Sequence, residues 1–268
     1  MKLSFIGTGS MGSAILRAVC GSVDPADITI TNRTVSKAEM LAMKLGCEAT
    51  GTNIECAKGA DYIFLGVKPD TVCTVLQEIA PALTGEETIV SMAAGVSGQM
   101  MHLALGKENP IIRILPNTPC AIGRGLMLIA PCDAAAAEKR EELARILAPC
   151  GRVAFTDEAH ADAGMVIGGC TPAFTYLFIE ALSDGAVASG LSRADAIAWA
   201  AQAVAGAAEL VLQSGQHPAA LKDAVCSPAG STIEGVRALE RSAFRAAAMD
   251  AVSASYAKTA VLGRDEGR

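Results

Sequence analysis

Three glycines at fixed spacing, in Gly7-Thr8-Gly9-Ser10-Met11-Gly12, stand directly after the apolar run of residues 3–6, and this placement constrains the chain more than any other feature. A glycine-rich turn between a strand and a helix meets three geometric needs. Gly7 permits the tight turn, Gly9 lets the backbone approach a pyrophosphate, and Gly12 lets helix and strand pack closely. The helix opening there offers oriented N–H groups, so an anion is held without a basic side chain. Further apolar runs at residues 28–31, 62–67, 88–92 and 111–115 alternate with segments of helix length at 34–45, 70–80 and 134–147. That alternation predicts a parallel sheet whose strands cross over through helices. A last strand is expected at 152–155, followed by Thr156 or Asp157 as the cap of a new helix.

Strand signals stop there, and alanine-rich helices follow, punctuated at Pro172, Gly190, Gly215 and Pro218. The expected fold is an α/β N-terminal Rossmann domain, doubly wound with a mostly parallel sheet, over residues 1–157, then an all-α domain over 158–268. Ile197, Ala200, Ala201, Val204, Ala208 and Val211 mark one apolar helix face, while the other faces carry alanine rather than charge. Such helices need neighbours on several sides. A bundle of this size cannot supply them alone, so helices of a second copy are expected to pack here as a homodimer.

Composition narrows the ligands. The formal net charge is −6 with no basic run, which argues against nucleic acid or anionic lipid as a partner. Nine cysteines, an odd number without a CxxC pair, indicate neither a disulfide framework nor a zinc site, and His102, His160 and His217 lack metal spacing. No metal is expected. The start of the chain lacks the pattern of an export signal, and the apolar stretch at 165–190 is interrupted by Pro172, Glu180 and Asp184, so a soluble, cytoplasmic protein without a membrane span is expected.

About 20 residues beyond the glycine turn, an NAD site presents an acid to the ribose 2′-hydroxyl. Asn32-Arg33-Thr34 stands there instead. A guanidinium suits a 2′-phosphate that a carboxylate would repel, so NADP(H) is the expected cofactor and NAD(H) the weaker alternative. Other contacts are expected beyond the carboxyl ends of the strands. Val67, Lys68 and Pro69 stand there, as do Ala93, Ala94 and Gly95, which let the cofactor lie against backbone, and Asn117 in Pro116-Asn117-Thr118-Pro119.

Taken together, these stretches resemble the pyrroline-5-carboxylate reductase family over nearly the full chain. The resemblance rests on the N-terminal GTGSMG, Asn32-Arg33-Thr34, Asn53 followed by Glu55, Val67-Lys68-Pro69, Ser91 to Ser97, Arg113 with Pro116 to Pro119, and Ser227-Pro228 leading to Gly230-Ser231-Thr232-Ile233. It implies NADPH-dependent reduction of L-1-pyrroline-5-carboxylate to L-proline by hydride transfer to the C=N carbon. A related imine, or a non-catalytic NADP-binding regulator of the same fold, is the alternative. It also implies interlocking C-terminal helices, often in a ring of dimers, and adds Asn53 to the cofactor residues. The segment resembling Ser227 to Thr232 binds the substrate carboxylate in the family, and the residues agree: a turn feeding a helix directs free N–H groups of Gly230, Ser231 and Thr232 at an anion. Thr232 is the expected partner of the ring nitrogen, and Glu158 matches a further substrate-side position. The sequence departs from the family at Gly168-Gly169-Cys170-Thr171-Pro172-Ala173, where a Ser-Gly-Ser-Gly-Pro-Ala run is usual, at Ala229 for glycine, and at Leu115 for methionine.

Overall fold

Strand β1 (Leu3–Ile6) has no exposed residue, as a parallel strand covered on both faces requires. In this computed structural model, which describes residues 1–262, β1 lies inside an eight-stranded sheet. The others are β2 (Ile28–Thr31), β3 (Glu48–Ala49), β4 (Tyr62–Leu65), β5 (Thr88–Ser91), β6 (Ile111–Leu115), β7 (Gly125–Pro131) and β8 (Gly151–Phe155), in the order β3-β2-β1-β4-β5-β6-β7-β8. Every pairing is parallel except β6 with β7. The order reverses at β1, whose Ile6 lies opposite Thr31 on one side and Leu65 on the other. A crevice is therefore expected at the carboxyl end of β1.

Helices α1 (Ser10–Val19), α2 (Val35–Leu45), α3 (Asn53–Ala57), α4 (Pro69–Ile79), α5 (Gly98–Leu105) and α6 (Ala134–Leu147) accompany the sheet. Side-chain alternation along the strands splits the core in two. Leu3, Phe5, Tyr62 and Phe64 pack with Ile15, Leu16 and Val19 of α1 and Leu143 and Leu147 of α6. Ile6, Ile63 and Leu65 pack with Val72, Leu76 and Ile79 of α4 and Met101 of α5. Each fully buried aliphatic side chain of this size contributes about 1.5–3 kcal/mol.

Two strands were not foreseen. The pair β3 is too short to show a pattern. Strand β7 follows β6 after only the short 3-10 turn Thr118–Ile122, and this tight return makes it antiparallel, outside the strand–helix alternation.

After β8 every described element is helical: α7 (Glu158–Met165), a π-helical stretch Val166–Cys170, α8 (Thr171–Ala188), α9 (Arg193–Ser214), α10 (Pro218–Ala224), α11 (Ser231–Arg241) and α12 (Phe244–Leu262). Pro172, expected as a break, is carried inside the helix. The wider π turn stands just before it, where the missing N–H and the ring would otherwise clash with a regular turn. By packing, residues 1–172 with 255–262 form one compact unit, and Ala173–Ala254 a second. The first unit extends past the expected boundary at 157 because α7 and the π turn bond back to the sheet region. Arg113 pairs with Asp162, the Gly98 N–H with Glu158, and the Asn117 side chain with the Gly168 carbonyl.

In the second unit, Tyr176, Leu177, Trp199, Leu210 and Leu212 are largely exposed, and α9 buries only Ala196. The stretches Glu158–Ala188 and Arg193–Ser214 are long and apolar enough to cross a membrane by length and composition.

Candidate functional site

A crevice of about 590 Å³ opens at the carboxyl ends of β1, β2 and β4. Its floor is an interlock of three glycines. Gly7 has φ +93°, and a Cβ there would come within 2.8 Å of the Gly66 carbonyl; a Cβ on Gly12 would lie 2.5 Å from the Gly7 oxygen, and one on Gly66 would overlap that same oxygen. Gly66, which directly follows β4, escaped the sequence reading. Its signal was present as the glycine between the strand and Val67-Lys68-Pro69.

Gly9 differs from these three. A Cβ there would meet nothing within 4 Å, because the residue faces the open crevice. Gly9 is also the N-cap of α1 and supplies no capping side chain, so the first amides of this ten-residue helix are free for a ligand. Among the described residues, Thr8 Oγ1 is buried without a hydrogen-bond partner. An open glycine face, uncapped amides and an orphaned hydroxyl fit the pyrophosphate of a dinucleotide.

Asn32 and Arg33 follow β2 and line the same crevice. Arg33 is exposed and forms no ion pair among the described residues. Asn53, the first residue of α3, also lines it, as do Val67 and Lys68, which lead into α4. The structure thus brings Gly7, Gly9, Asn32, Arg33, Asn53, Val67 and Lys68 together around one cavity. Thr8, Ser10, Met11, Gly12, Thr34 and Pro69 belong to the turns and helix starts that shape it. The crevice-facing side of α4, with Thr71, Thr74, Val75 and Glu78, was not foreseen.

The remaining expected contacts lie elsewhere. Ala93, Ala94 and Gly95 follow the carboxyl end of β5 without lining the crevice; Ala93 is buried, its N–H donating to Ser91 Oγ at 3.3 Å, and Gly95 has φ +76°. Asn117 is buried with its amide engaged by protein groups. Its Nδ2 donates to the Gly168 carbonyl at 3.0 Å, and its Oδ1 accepts from the Leu126 N–H at 3.0 Å. Glu158 accepts the Gly98 N–H at 2.6 Å and lies 4.0 Å from Arg113, a buried guanidinium whose Nη2 contacts Asp162 at 2.8 Å. Glu158 thus joins the start of α5 to α7.

In the second unit, the turn ahead of α11 closes through a hydrogen bond from the Gly230 N–H to the Ser227 carbonyl at 3.0 Å. Gly230 caps α11 without a side-chain bond, and exposed Ser231 and Thr232 open the helix. The amides of Ser231 and Thr232 are consequently free, whereas the Gly230 N–H, which the sequence also offered to an anion, is used by the Ser227 carbonyl. Ala229 has φ +56°, a left-handed conformation that explains why glycine is usual there in the family it resembles.

A doubly wound sheet, with uncapped amides over interlocked glycines at its switch point, defines a Rossmann-type NAD(P)-dependent oxidoreductase. Residues 2–95 match the family model described as NADP oxidoreductase coenzyme F420-dependent, and residues 158–262 match that described as pyrroline-5-carboxylate reductase dimerisation. The chain belongs to the pyrroline-5-carboxylate reductase family. It is 39% identical to the pyrroline-5-carboxylate reductase of Escherichia coli strain K12 over 265 residues, 98% of each chain. It is also 39% identical to pyrroline-5-carboxylate reductase 3 of Danio rerio over 269 residues, 99% of this chain and 93% of the relative. A solved pyrroline carboxylate reductase of Plasmodium falciparum with NADP bound is similar at TM-score 0.88 and 30% identity, with 98% of each chain covered.

Proposed function

We propose that this chain reduces L-1-pyrroline-5-carboxylate to L-proline with NADPH, the last step of proline biosynthesis, with NADH as a weaker donor. The observation that carries the cofactor half of this reading is the glycine floor with its uncapped helix and orphaned Thr8 hydroxyl. The amides of Ser10, Met11 and Gly12 hold the pyrophosphate, and Arg33 takes the 2′-phosphate in paired hydrogen bonds. When bound, NADPH supplies a hydride to the C=N carbon.

On the substrate side, the free amides of Ser231 and Thr232, with Ser227 and the turn at Gly230 that presents them, take the carboxylate, and the Thr232 hydroxyl bonds the ring nitrogen. A protonated imine already carries the proton its nitrogen keeps in the product. The protein therefore has to orient and desolvate the imine rather than supply a strong acid. Glu158, a substrate-side position by the family resemblance, accepts the Gly98 N–H beside Arg113.

Residues 1–157 provide the cofactor domain and 158–268 the helical dimerisation and substrate domain, a division supported by the start of the matched dimerisation model at residue 158. Exposed Tyr176, Leu177, Trp199, Leu210 and Leu212 support a homodimer through these helices, and a ring of such dimers is the higher assembly the family resemblance implies. That dimer would cover the apolar stretches Glu158–Ala188 and Arg193–Ser214 as subunit contacts of a cytoplasmic protein rather than membrane spans. The Arg193–Asp184 ion pair at 2.6 Å joins them.

The test follows NADPH consumption by absorbance with pyrroline-5-carboxylate and then with its six-membered analogue. Turnover that prefers the five-membered ring supports the assignment. Turnover of the larger ring alone, or of neither, overturns it.

A further inference from the structure

Asn53 and Glu78 meet across the crevice, Asn53 from the start of α3 and Glu78 from the last turn of α4. Asn53 Nδ2 donates to Glu78 Oε2 at 2.8 Å. Both residues line the cavity, and Glu78 is exposed to it, one turn beyond Thr74 and two beyond Thr71 on the same helix face. A carboxylate only accepts hydrogen bonds, whereas a carboxamide has one donating and one accepting end. Glu78 therefore selects which end of Asn53 it holds, and the accepting Oδ1 is left for the crevice.

We infer that Glu78 is a positioning residue for the cofactor: it holds the Asn53 amide so that Oδ1 accepts a hydrogen bond from a ribose hydroxyl of the dinucleotide. The inference rests on the reading of this crevice as the NADPH site. It explains an otherwise unfavourable feature, a carboxylate placed in a cavity meant for a polyanion. Simple Coulomb repulsion predicts that removing the Glu78 charge would tighten NADPH binding. A positioning role predicts the reverse sign.

The experiment is calorimetric titration of the full-length protein with NADPH alone, for wild type, Glu78→Ala, Glu78→Gln, Asn53→Ala and the Glu78→Ala/Asn53→Ala pair. Thermal melts on the same samples verify the fold. Glu78→Ala should weaken binding about tenfold, the worth of one hydrogen bond that is no longer oriented. Glu78→Gln, whose Oε1 still accepts from Asn53, should stay within about threefold of wild type. In the Asn53→Ala background, Glu78→Ala should add nothing, because its only route to the cofactor is gone. Binding unchanged or tightened in Glu78→Ala, or losses that add in the double variant, would overturn the inference while leaving the cofactor reading intact. Failure of the wild type to bind NADPH would overturn both.

Discussion

The Asn117 side-chain amide donates to the carbonyl oxygen of Gly168 at 3.0 Å, and Gly168 stands four residues before Pro172. In a regular helix that oxygen would accept from the N–H of residue 172, which proline lacks. Asn117 supplies the replacement donor, and its other end holds the Leu126 N–H at the start of β7. One side chain thereby ties the π turn to the antiparallel strand. Asn117→Ala leaves both backbone groups without this partner, and about 3 kcal/mol of stability should be lost. Urea denaturation at fixed protein concentration measures it; a loss below about 1 kcal/mol would show that the two groups find other partners.

Arg33 carries the choice of cofactor in the proposed function. Replacing it by Asp should raise the KM for NADPH roughly 10- to 100-fold, the worth of a lost charge-assisted bond, and leave that for NADH within a few-fold. Steady-state kinetics with both donors decides the matter, and equal effects would remove Arg33 from the 2′-phosphate.

Thr232 is assigned to the ring nitrogen. Thr232→Ala should lower turnover about tenfold while NADPH affinity, measured by titration, stays near wild type. Unchanged turnover would end that assignment.

Ala229 adopts φ +56° in the turn that leads to α11. A side chain costs about 1–2 kcal/mol in the left-handed region, partly offset because glycine has more freedom to lose on folding. Ala229→Gly should therefore stabilise the protein by about 0.5–1 kcal/mol. A raised melting temperature at equal protein concentration is the expected result, and a lowered one would mean that the turn tolerates alanine without strain.

Glu87 predicts an acid limb. Burial alone would raise the pKa of this carboxyl, but hydrogen bonds from the Thr84 and Gly85 amides and the Thr84 hydroxyl outweigh it and hold the pKa below its ordinary value of 4.5. A group with a depressed folded pKa adds stability above its unfolded pKa and loses it as pH falls through the folded one. Stability should thus decline as pH drops below about 4.5, and Glu87→Gln should flatten that decline. Denaturation midpoints across an acid series check this.

The sheet and glycine turn were readable because backbone geometry leaves direct marks in sequence: Gly7 and Gly12 stand where no side chain fits, and β1, β4 and β6 are largely apolar runs, with Ser4 and Arg113 as the polar exceptions in β1 and β6. Strand β7 was hidden because a tight antiparallel return breaks the alternation that revealed the other strands. The polar face of α4 was hidden for a different reason. Thr71, Thr74 and Glu78 at helical spacing look like any solvated surface, and only the fold shows that this surface walls a cavity. Asn117 illustrates a third case. Its place beyond a strand end is legible in the sequence, whereas its bonds to Gly168 and Leu126 join residues further along the chain and appear only in the fold.

The glycine floor has a consequence for anyone redesigning this protein. Gly7, Gly12 and Gly66 occupy one shared volume, so a side chain at any of them collides with backbone, which unlike a rotamer has nowhere to swing. Attempts to retune cofactor choice through these three positions are blocked at the outset. The tip of β2, where Arg33 projects freely, is where such changes can be accommodated.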